Sequence, residues 1–185
     1  MHNKRKYGSL VLAVLCCFFA EAQTPIAFKM GKLYGYKNPH TGKQVVNAKF
    51  DSAFPFRDGL ALVIRNDKKG MINLSGETII PVRYDEIGEF SEDIVSVCLE
   101  KQYGFICRKG NKISAIKYDK VYDFKEEMAA VCINNKWGFI NKQGKLIVPL
   151  IYDEVSSFIG GMAAVTIAEN YFAINKTGER VIPKY

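Results

Sequence analysis

The chain has 185 residues, about the length of one domain, of which 48% are apolar and 12% aromatic. This composition argues against a disordered chain, because it provides enough apolar surface for a packed core. The formal net charge is +7 and falls to +5 when residues 1–22, which carry three basic residues and one acidic residue, are removed. So modest a charge does not predict nucleic-acid binding.

Residues 1–22 have the organisation of a cleavable secretory signal peptide. A basic patch at residues 4–6 precedes a mostly apolar run at residues 8–20, and the segment ends in Ala20-Glu21-Ala22. These features predict cleavage near Ala22 and export to the bacterial periplasm, the cell surface or the medium. The apolar run is too short for a good transmembrane span, and no later stretch is long and apolar enough to form one.

A lipoprotein is the alternative interpretation of this segment. Cys16 or Cys17 would then be acylated and would anchor the protein. We favour simple cleavage because Leu15 precedes Cys16, at a position where lipidation signals normally have a small residue.

A 34-residue repeat organises the remainder of the chain. A glycine, an aspartate that follows an aromatic residue, a phenylalanine and a valine all recur at this interval. Because four different positions recur at the same 34-residue interval, the chain consists of tandem copies of one structural unit. The recurring residues are Gly42, Gly76, Gly110, Gly144 and Gly178; Asp51, Asp85, Asp119 and Asp153; Phe56, Phe90, Phe124 and Phe158; and Val63, Val97, Val131 and Val165.

Each unit is predicted to form three short antiparallel strands. In the fourth copy these are residues 128–133, 136–141 and 146–152, joined by turns at 134–135 and 142–144. Asparagine and glycine supply the positive φ angles that hairpin turns need, and no segment keeps a helical period. We therefore predict one all-β repeat domain over residues 23–185. Its five units lie near residues 26–50, 60–84, 94–118, 128–152 and 162–185.

The third strand of each unit changes its inward-facing positions part-way along. Counted from the turn glycine, the apolar side chains lie first at an odd-numbered position and then at even-numbered positions. A regular strand cannot make this change, because its side chains alternate strictly between the two faces. Pro81, Pro149 and Pro183 stand at this switch, so we predict a β-bulge or a strand break there.

The arrangement of the units follows from their small size. A lone three-stranded meander is barely stable in water, so neighbouring units are predicted to cover one another's apolar faces. The units then form either an open twisted array or a propeller-like closed ring. A ring requires the strand at residues 26–28 to meet the last unit near Tyr185.

The fourth unit carries a recognisable motif. Residues 136–140 read Lys-Trp-Gly-Phe-Ile and are followed by the turn glycine Gly144, by Pro149 and by Tyr152-Asp153. This segment closely resembles the WG-containing (KWG) β-repeat family, and the resemblance extends over about residues 26–185. It implies an exported bacterial repeat protein with a binding role and without an active site shared across the family.

Other units depart from the motif. Tyrosine replaces tryptophan at Tyr34 and Tyr103, the second unit has Met71 and no aromatic residue, and the fifth has Phe172-Ala173 and lacks the glycine. Such variation indicates that Trp137 and Gly138 serve packing and not chemistry.

The sequence offers few residues that could carry catalysis. His40 is the one histidine left after cleavage, so zinc sites and histidine-based nucleophilic triads are not predicted. The repeated aspartates could act as paired carboxylates on glycans. One aspartate per unit is better explained by a carboxylate that caps a turn through backbone N–H groups. We predict no enzyme activity, no cofactor and no metal site.

Three cysteines remain after cleavage, namely Cys98, Cys107 and Cys132. An odd number cannot form a complete disulfide framework. We therefore predict that they are small buried apolar residues, with one optional disulfide as the alternative.

The turns around the repeat glycines are rich in cations, and regular stacking would bring them to one rim, opposite the aspartates. A basic rim could bind an anionic polysaccharide or an acidic protein; the alternative is an ordinary solvated rim that prevents edge pairing. We define the basic turn row as Lys109, Lys112, Lys142, Lys145, Lys176 and Arg180.

Taken together, these patterns predict an exported, non-catalytic binding or scaffold module for a protein or a polysaccharide. One alternative is a glycan hydrolase that uses the repeated aspartates. Another is an inhibitor or assembly subunit of an envelope complex. Neither the ligand nor the oligomeric state is predicted.

Overall fold

A computed structural model describes residues 24–182, which form seventeen β-strands and no helix. The all-β prediction is thereby confirmed. The predicted signal peptide, Cys16, Cys17 and the cleavage site lie outside the described residues, as do Pro183 and Tyr185. Nothing in residues 24–182 forms a helix of the length and hydropathy required to span a bilayer.

The strands form five small antiparallel sheets, one for each predicted unit. The first sheet contains β1 (Ile26–Met30), β2 (Leu33–Lys37) and β3 (Gln44–Phe50). The second contains β4 (Ser52–Ala53), β5 (Leu60–Arg65), β6 (Lys68–Asn73) and β7 (Thr78–Tyr84). The third contains β8 (Glu86–Ile87), β9 (Ile94–Leu99) and β10 (Gln102–Cys107).

The fourth and fifth sheets repeat the same order. The fourth contains β11 (Lys120–Val121), β12 (Met128–Ile133), β13 (Lys136–Asn141) and β14 (Leu146–Tyr152). The fifth contains β15 (Glu154–Val155), β16 (Met162–Ile167) and β17 (Asn170–Asn175).

The predicted three-stranded meander is present, with one addition. A two-residue strand (β4, β8, β11 or β15) precedes units 2 to 5 and pairs with the first long strand of its unit, as Lys120 does with Cys132. Such a strand is too short to show a two-residue alternation of apolar residues, so the sequence did not reveal it. In units 3 and 5 the third strand is reduced to isolated bridges, such as Tyr103 with Tyr118 and Ile174 with Arg180.

The first hairpin of units 2 to 5 turns through two residues that both have positive φ. In unit 4 these are Asn134 and Asn135, with φ of 51° and 58°. Two consecutive left-handed residues define the type I′ turn, whose twist matches that of the flanking strands. The predicted role of Asn134-Asn135 is confirmed.

The predicted bulge lies in the third strand at Pro149. Trp137 pairs with Tyr152 and Phe139 pairs with Val148. The two paired residues are therefore four positions apart on β14 but only two positions apart on β13. The bulge brings the β14 backbone against Gly138, where an added Cβ would lie 2.4 Å from the Val148 oxygen. Glycine follows the aromatic residue because the neighbouring strand occupies the space of a side chain.

The hydrophobic core is divided into four clusters, each shared by two consecutive units. The cluster between units 1 and 2, for example, joins Tyr36, Val46 and Phe50 to Ala61, Val63 and Ile72. Neighbouring units therefore cover each other's apolar faces, as predicted. Among residues 24–182 no cluster joins unit 1 to unit 5, and Ile26 and Tyr171 on the two outer faces are 47% and 74% exposed. The described residues form an open array.

Candidate functional site

The repeated aspartates each accept a hydrogen bond from a backbone N–H of the next hairpin turn, fifteen residues further on. This contact fixes the first hairpin of one unit to the end of the preceding third strand. The N–O distances are 2.6 Å for Asp51 and Asn66, 2.7 Å for Asp85 and Glu100, 2.8 Å for Asp119 and Asn134, and 3.0 Å for Asp153 and Ala168.

Two of these carboxylates also pair with a lysine. Lys68 binds Asp85, and Lys136 Nζ lies 2.5 Å from Asp153 Oδ1. The lysine hydrogen bond, followed by the backbone N–H, holds the pKa of each carboxyl below its ordinary value. A glycosidase acid needs a raised pKa, so neither carboxylate is suited to the role of general acid.

The basic turn row is split between paired and exposed cations. Lys142 Nζ lies 3.0 Å from Glu92 Oε2, and Lys176 Nζ lies 3.3 Å from Glu126 Oε2, in both cases across a unit boundary. Lys112 lines a shallow cleft of about 210 Å³ in unit 3. The exposed members of the row are Lys109, Lys112, Lys145 and Arg180.

Glu92 and Glu126 each form a set of contacts across a unit boundary, and we call each set a boundary latch. Glu126 accepts hydrogen bonds from the Gly160 and Gly161 N–H groups at 2.5 and 2.8 Å, in addition to its contact with Lys176. Glu92 in the same way accepts the Glu127 N–H at 3.0 Å and binds Lys142. The Glu92 latch connects unit 3 to unit 4, and the Glu126 latch connects unit 4 to unit 5.

The pKa values of the latch carboxyls are both lowered. At Glu126 the Gly161 N–H is the main cause, and the Gly160 N–H and Lys176 contribute. At Glu92 burial alone would raise the pKa, but hydrogen bonds from Lys142 and the Glu127 N–H outweigh it. Both latches are therefore formed by ionised carboxylates at neutral pH.

An aromatic pair fills three of the four boundaries. The residue after the motif glycine meets the recurring phenylalanine of the next unit edge to face, which is a favourable geometry for two rings. The centroid distances are 4.9 Å for Tyr36 and Phe56, 5.0 Å for Phe105 and Phe124, and 4.8 Å for Phe139 and Phe158.

The boundary between units 2 and 3 lacks both the ring and the latch. Met71 takes the place of the first ring, and the Arg108 guanidinium lies over the Phe90 ring instead, 4.2 Å from its centroid. Asp58 takes the place of Glu92 and contacts Arg108 through its main-chain oxygen, at 3.4 Å. The aspartate side chain is one methylene shorter than glutamate.

An open cleft of about 520 Å³ occupies this boundary, and we call it the inter-unit cleft. Its volume lies within the range of small-ligand sites. An apolar floor and four charged side chains define it. The lining residues are Phe54, Pro55, Arg57, Asp58, Leu60, Leu62, Met71, Ile87, Gly88, Glu89, Phe90 and Arg108.

One wall of the inter-unit cleft is fixed by a buried tyrosine. Tyr36 donates a hydrogen bond to the Phe54 main-chain oxygen at 2.6 Å, and burial raises the pKa of Tyr36 to about 12. The Phe54 side chain is 43% exposed. Exposure of a ring on a fixed backbone is suited to contact with a ligand.

Sequence reasoning missed the inter-unit cleft, although one signal for it was present. Met71 departs from the aromatic residue found after the motif glycine in units 1, 3 and 4. The departure was interpreted as tolerated variation. Only the structure shows that this side chain stands opposite Phe90, where the missing ring leaves space.

The three cysteines are free in the structure. Cys98 and Cys132 are 5% and 1% exposed, and burial raises the pKa of both thiols. Both therefore pack as small apolar residues, as predicted, whereas Cys107 is only half-buried. Within residues 24–182 no three His, Cys, Asp or Glu side chains are grouped closely enough to hold a metal ion.

Solved structures with some likeness to this chain are only distantly related. Hsv2 of Kluyveromyces lactis is 12% identical, with a TM-score of 0.43 over 87% of this chain and 60% of that one. A eukaryotic initiation factor is 14% identical, with a TM-score of 0.46 over 85% and 50%. PorZ, a surface component of the type IX secretion system of Porphyromonas gingivalis, is 10% identical, with a TM-score of 0.39 over 87% and 25%.

This chain spans between a quarter and 60% of the length of those three proteins. With TM-scores below 0.5, the likenesses carry no argument about function. A comparison with curated proteins finds no significant match.

A family model gives the informative comparison. The model described as "WG containing repeat" matches four tandem segments, at residues 34–68, 70–102, 103–137 and 137–171. The segments cover most of the chain, in the register of the glycine and aspartate repeats. The resemblance noted in the fourth unit is confirmed, and the chain belongs to the WG-containing repeat family.

Proposed function

We propose that the protein is a non-catalytic binding module that acts outside the cytoplasm and takes its ligand in the inter-unit cleft. The family assignment supports a repeat module. The signal-peptide pattern of residues 1–22 supports export.

The observation that carries the proposal is the interruption of the array between units 2 and 3. At the two following boundaries a ring fills the interior and a latch closes the turn, whereas here about 520 Å³ stays open beside Arg108. Leaving an apolar interior open costs stability, as deletions from protein cores show. A function that uses the opening accounts for that cost.

A glycan hydrolase is the second candidate, and it rests on the repeated aspartates. The contacts of Asp119 and Asp153 with backbone N–H groups favour the structural role. Incubation with glycans gives a direct check, because turnover that disappears in Asp119→Asn and Asp153→Asn would establish the enzyme. An assembly subunit would be recognised by a partner that binds the cleft and stays bound on purification.

The experiment that tests the proposal compares three forms of the mature protein on an affinity support. These are the unchanged chain, Met71→Phe, and a triple variant with glutamate at Lys109, Lys112 and Lys145. Each is exposed to the same envelope and polysaccharide extracts, and bound material is identified by mass spectrometry. We chose this triple because Lys142 and Lys176 belong to latches, so reversing them would also disturb the fold.

We expect capture by the unchanged chain and by the triple variant, and loss of the same ligand in Met71→Phe, where the new ring takes the place beside Phe90 that the ligand would use. Capture that survives Met71→Phe but is lost in the triple variant would move the site to the basic turn row. A ligand held equally by all three forms would overturn both locations.

A further inference from the structure

At the inter-unit cleft a methionine, Met71, stands where the other three boundaries have an aromatic ring. The recurring phenylalanine is met edge to face by a tyrosine or phenylalanine ring at the other three boundaries, at 4.8–5.0 Å between centroids. Phe105, Phe124 and Phe158 are each 1% exposed, whereas Phe56 at the first boundary is partly exposed. At this boundary Met71 and Phe90 both remain partly exposed.

The floor of the inter-unit cleft is suited to a ring. Leu60, Leu62 and Met71 supply it, and none of these side chains can hydrogen-bond strongly. Polar groups of a ligand that were buried against this floor would have no partner there, at a cost in free energy. An aromatic side chain gains both area burial and the ring–ring contact.

Arg108 places a cation directly beside the ring position. Its Nε donates to Asp93 Oδ1 at 2.9 Å, and its Nη1 makes the long contact with the Asp58 oxygen. A guanidinium has five N–H donors in a planar fork, so it retains donors for a carboxylate. The lining also contains Arg57, Asp58 and Glu89, so the charges of the cleft balance and Arg108 supplies the cation beside the Phe90 ring.

We propose that the inter-unit cleft binds an aromatic side chain of a partner polypeptide, with an adjacent acidic residue bound by Arg108. The proposal rests on the proposed function and adds the chemical class of the ligand. The ring of the partner lies in the cleft beside Met71, which stands where Phe105 and Phe139 stand at the following boundaries, and it contacts Met71 and Phe90. We choose a polypeptide because protein side chains supply the ring that contacts the recurring phenylalanine at the other three boundaries.

The test uses short blocked peptides and the mature protein with labelled methyl groups. Three peptides are compared: acetyl-Gly-Phe-Asp-Gly-amide, the same peptide with leucine for phenylalanine, and the same peptide with lysine for aspartate. Methyl resonances of Met71, Leu60 and Leu62 are followed by NMR during titration. We expect the Phe-Asp peptide to move the Met71 methyl resonance upfield, because that methyl group then lies over the face of a ring.

Variants assign the two contacts separately. Met71→Phe, followed through the Leu60 and Leu62 methyl groups, should weaken Phe-Asp binding by about tenfold or more, since the new ring makes the contact with Phe90 that the ring of the peptide would make. Arg108→Gln should bring the affinity for the Phe-Asp peptide down to that for the Phe-Lys peptide. Met30→Phe on β1 and Lys109→Gln beside Arg108 are the matched controls and should leave binding unchanged.

Two results would overturn the inference. One is a leucine peptide that binds as well as the phenylalanine peptide, and the other is binding of free 3-phenylpropionate without binding of any peptide. If no peptide binds while capture from extracts still depends on an unfilled cleft, the ligand class is wrong and the binding function stands. If capture from extracts is also unchanged in Met71→Phe, both the proposed binding site and the proposed ligand class are wrong.

Discussion

The boundary between units 2 and 3 and the two boundaries after it are built from the same repeat, yet they differ in several side chains. Phe105 and Phe139 are replaced by Met71, and Glu92 and Glu126 by Asp58, while Arg108 replaces Lys142 and Lys176. The first change removes a ring from the interior, and the second removes the acceptor that holds the facing turn. A repeat protein can thus acquire a site by leaving out packing groups at one boundary, with no added loop or domain.

At some of the turn glycines the preceding unit leaves no room for a side chain, so substitution there should have the largest effect. Gly144 has φ of 73°, and an added Cβ would lie 1.9 Å from the Ile113 oxygen of the preceding unit. We expect Gly144→Ala to lower the free energy of unfolding by about 2–4 kcal/mol, from left-handed strain plus steric overlap. Urea denaturation measures it.

Gly42→Ala is the matched control for that prediction. Gly42 also has positive φ, of 68°, but an added Cβ meets no atom within 4 Å. The expected loss is about 1–2 kcal/mol, from backbone conformation alone. Equal losses in the two variants would show that the glycines serve the turn and not the contact between units.

Removal of a latch should destabilise more than the same change at the unlatched boundary. In Glu126→Ala the Gly160 and Gly161 N–H groups and Lys176 lose their acceptor, whereas the Asp58 side chain makes no comparable contact. We therefore expect a lower melting temperature for Glu126→Ala than for Asp58→Ala by differential scanning calorimetry. The reverse order would contradict the assignment of the latch.

Restoring the missing ring should stabilise the protein. Met71→Phe reproduces the side chain of units 3 and 4 opposite Phe90, and the inter-unit cleft has room for it. We expect a gain of about 1 kcal/mol in the free energy of unfolding, from the ring–ring contact and added apolar burial. Met30→Phe, on a residue 58% exposed at the outer strand, should give no such gain.

The latches should also make stability depend on pH in the acid range. The pKa values of Glu92 and Glu126 lie below the ordinary 4.5 in the folded protein. Their contribution is complete above about pH 4.5 and is lost as the pH falls through the lowered folded values. Urea midpoints measured between neutral pH and pH 3 should fall more steeply for the unchanged chain than for a Glu92→Gln, Glu126→Gln double variant.

The sequence predicted the unit better than it predicted the site. Glycine and aspartate spacings located the strands and turns, and Pro149 marked the bulge, because backbone conformation leaves a local trace in sequence. The basic turn row looked uniform, yet Lys142 and Lys176 pair with carboxylates fifty residues earlier in the chain. Contacts of that range are set by the stacking of units, which spacing alone does not describe.

The inter-unit cleft could not be predicted from the sequence for the same reason. Met71 and Asp58 are each conservative departures from the repeat when considered singly. Their joint effect appears only when units 2 and 3 are stacked, because the two residues stand at one boundary with Phe90 and Arg108. Degenerate positions in a repeat therefore merit comparison across the boundary, since a copy that lacks a packing residue marks a candidate site.

Amide hydrogen exchange at three equivalent turn residues tests the difference between the boundaries most directly. The Glu127 and Gly161 N–H groups donate to Glu92 and Glu126 at 3.0 and 2.8 Å, whereas the equivalent Asp93 faces the shorter Asp58. We predict slow exchange at Glu127 and Gly161, fast exchange at Asp93, and slowing at Asp93 in the Asp58→Glu variant. Protection at Asp93 equal to that at Glu127 in the unchanged chain would contradict the account.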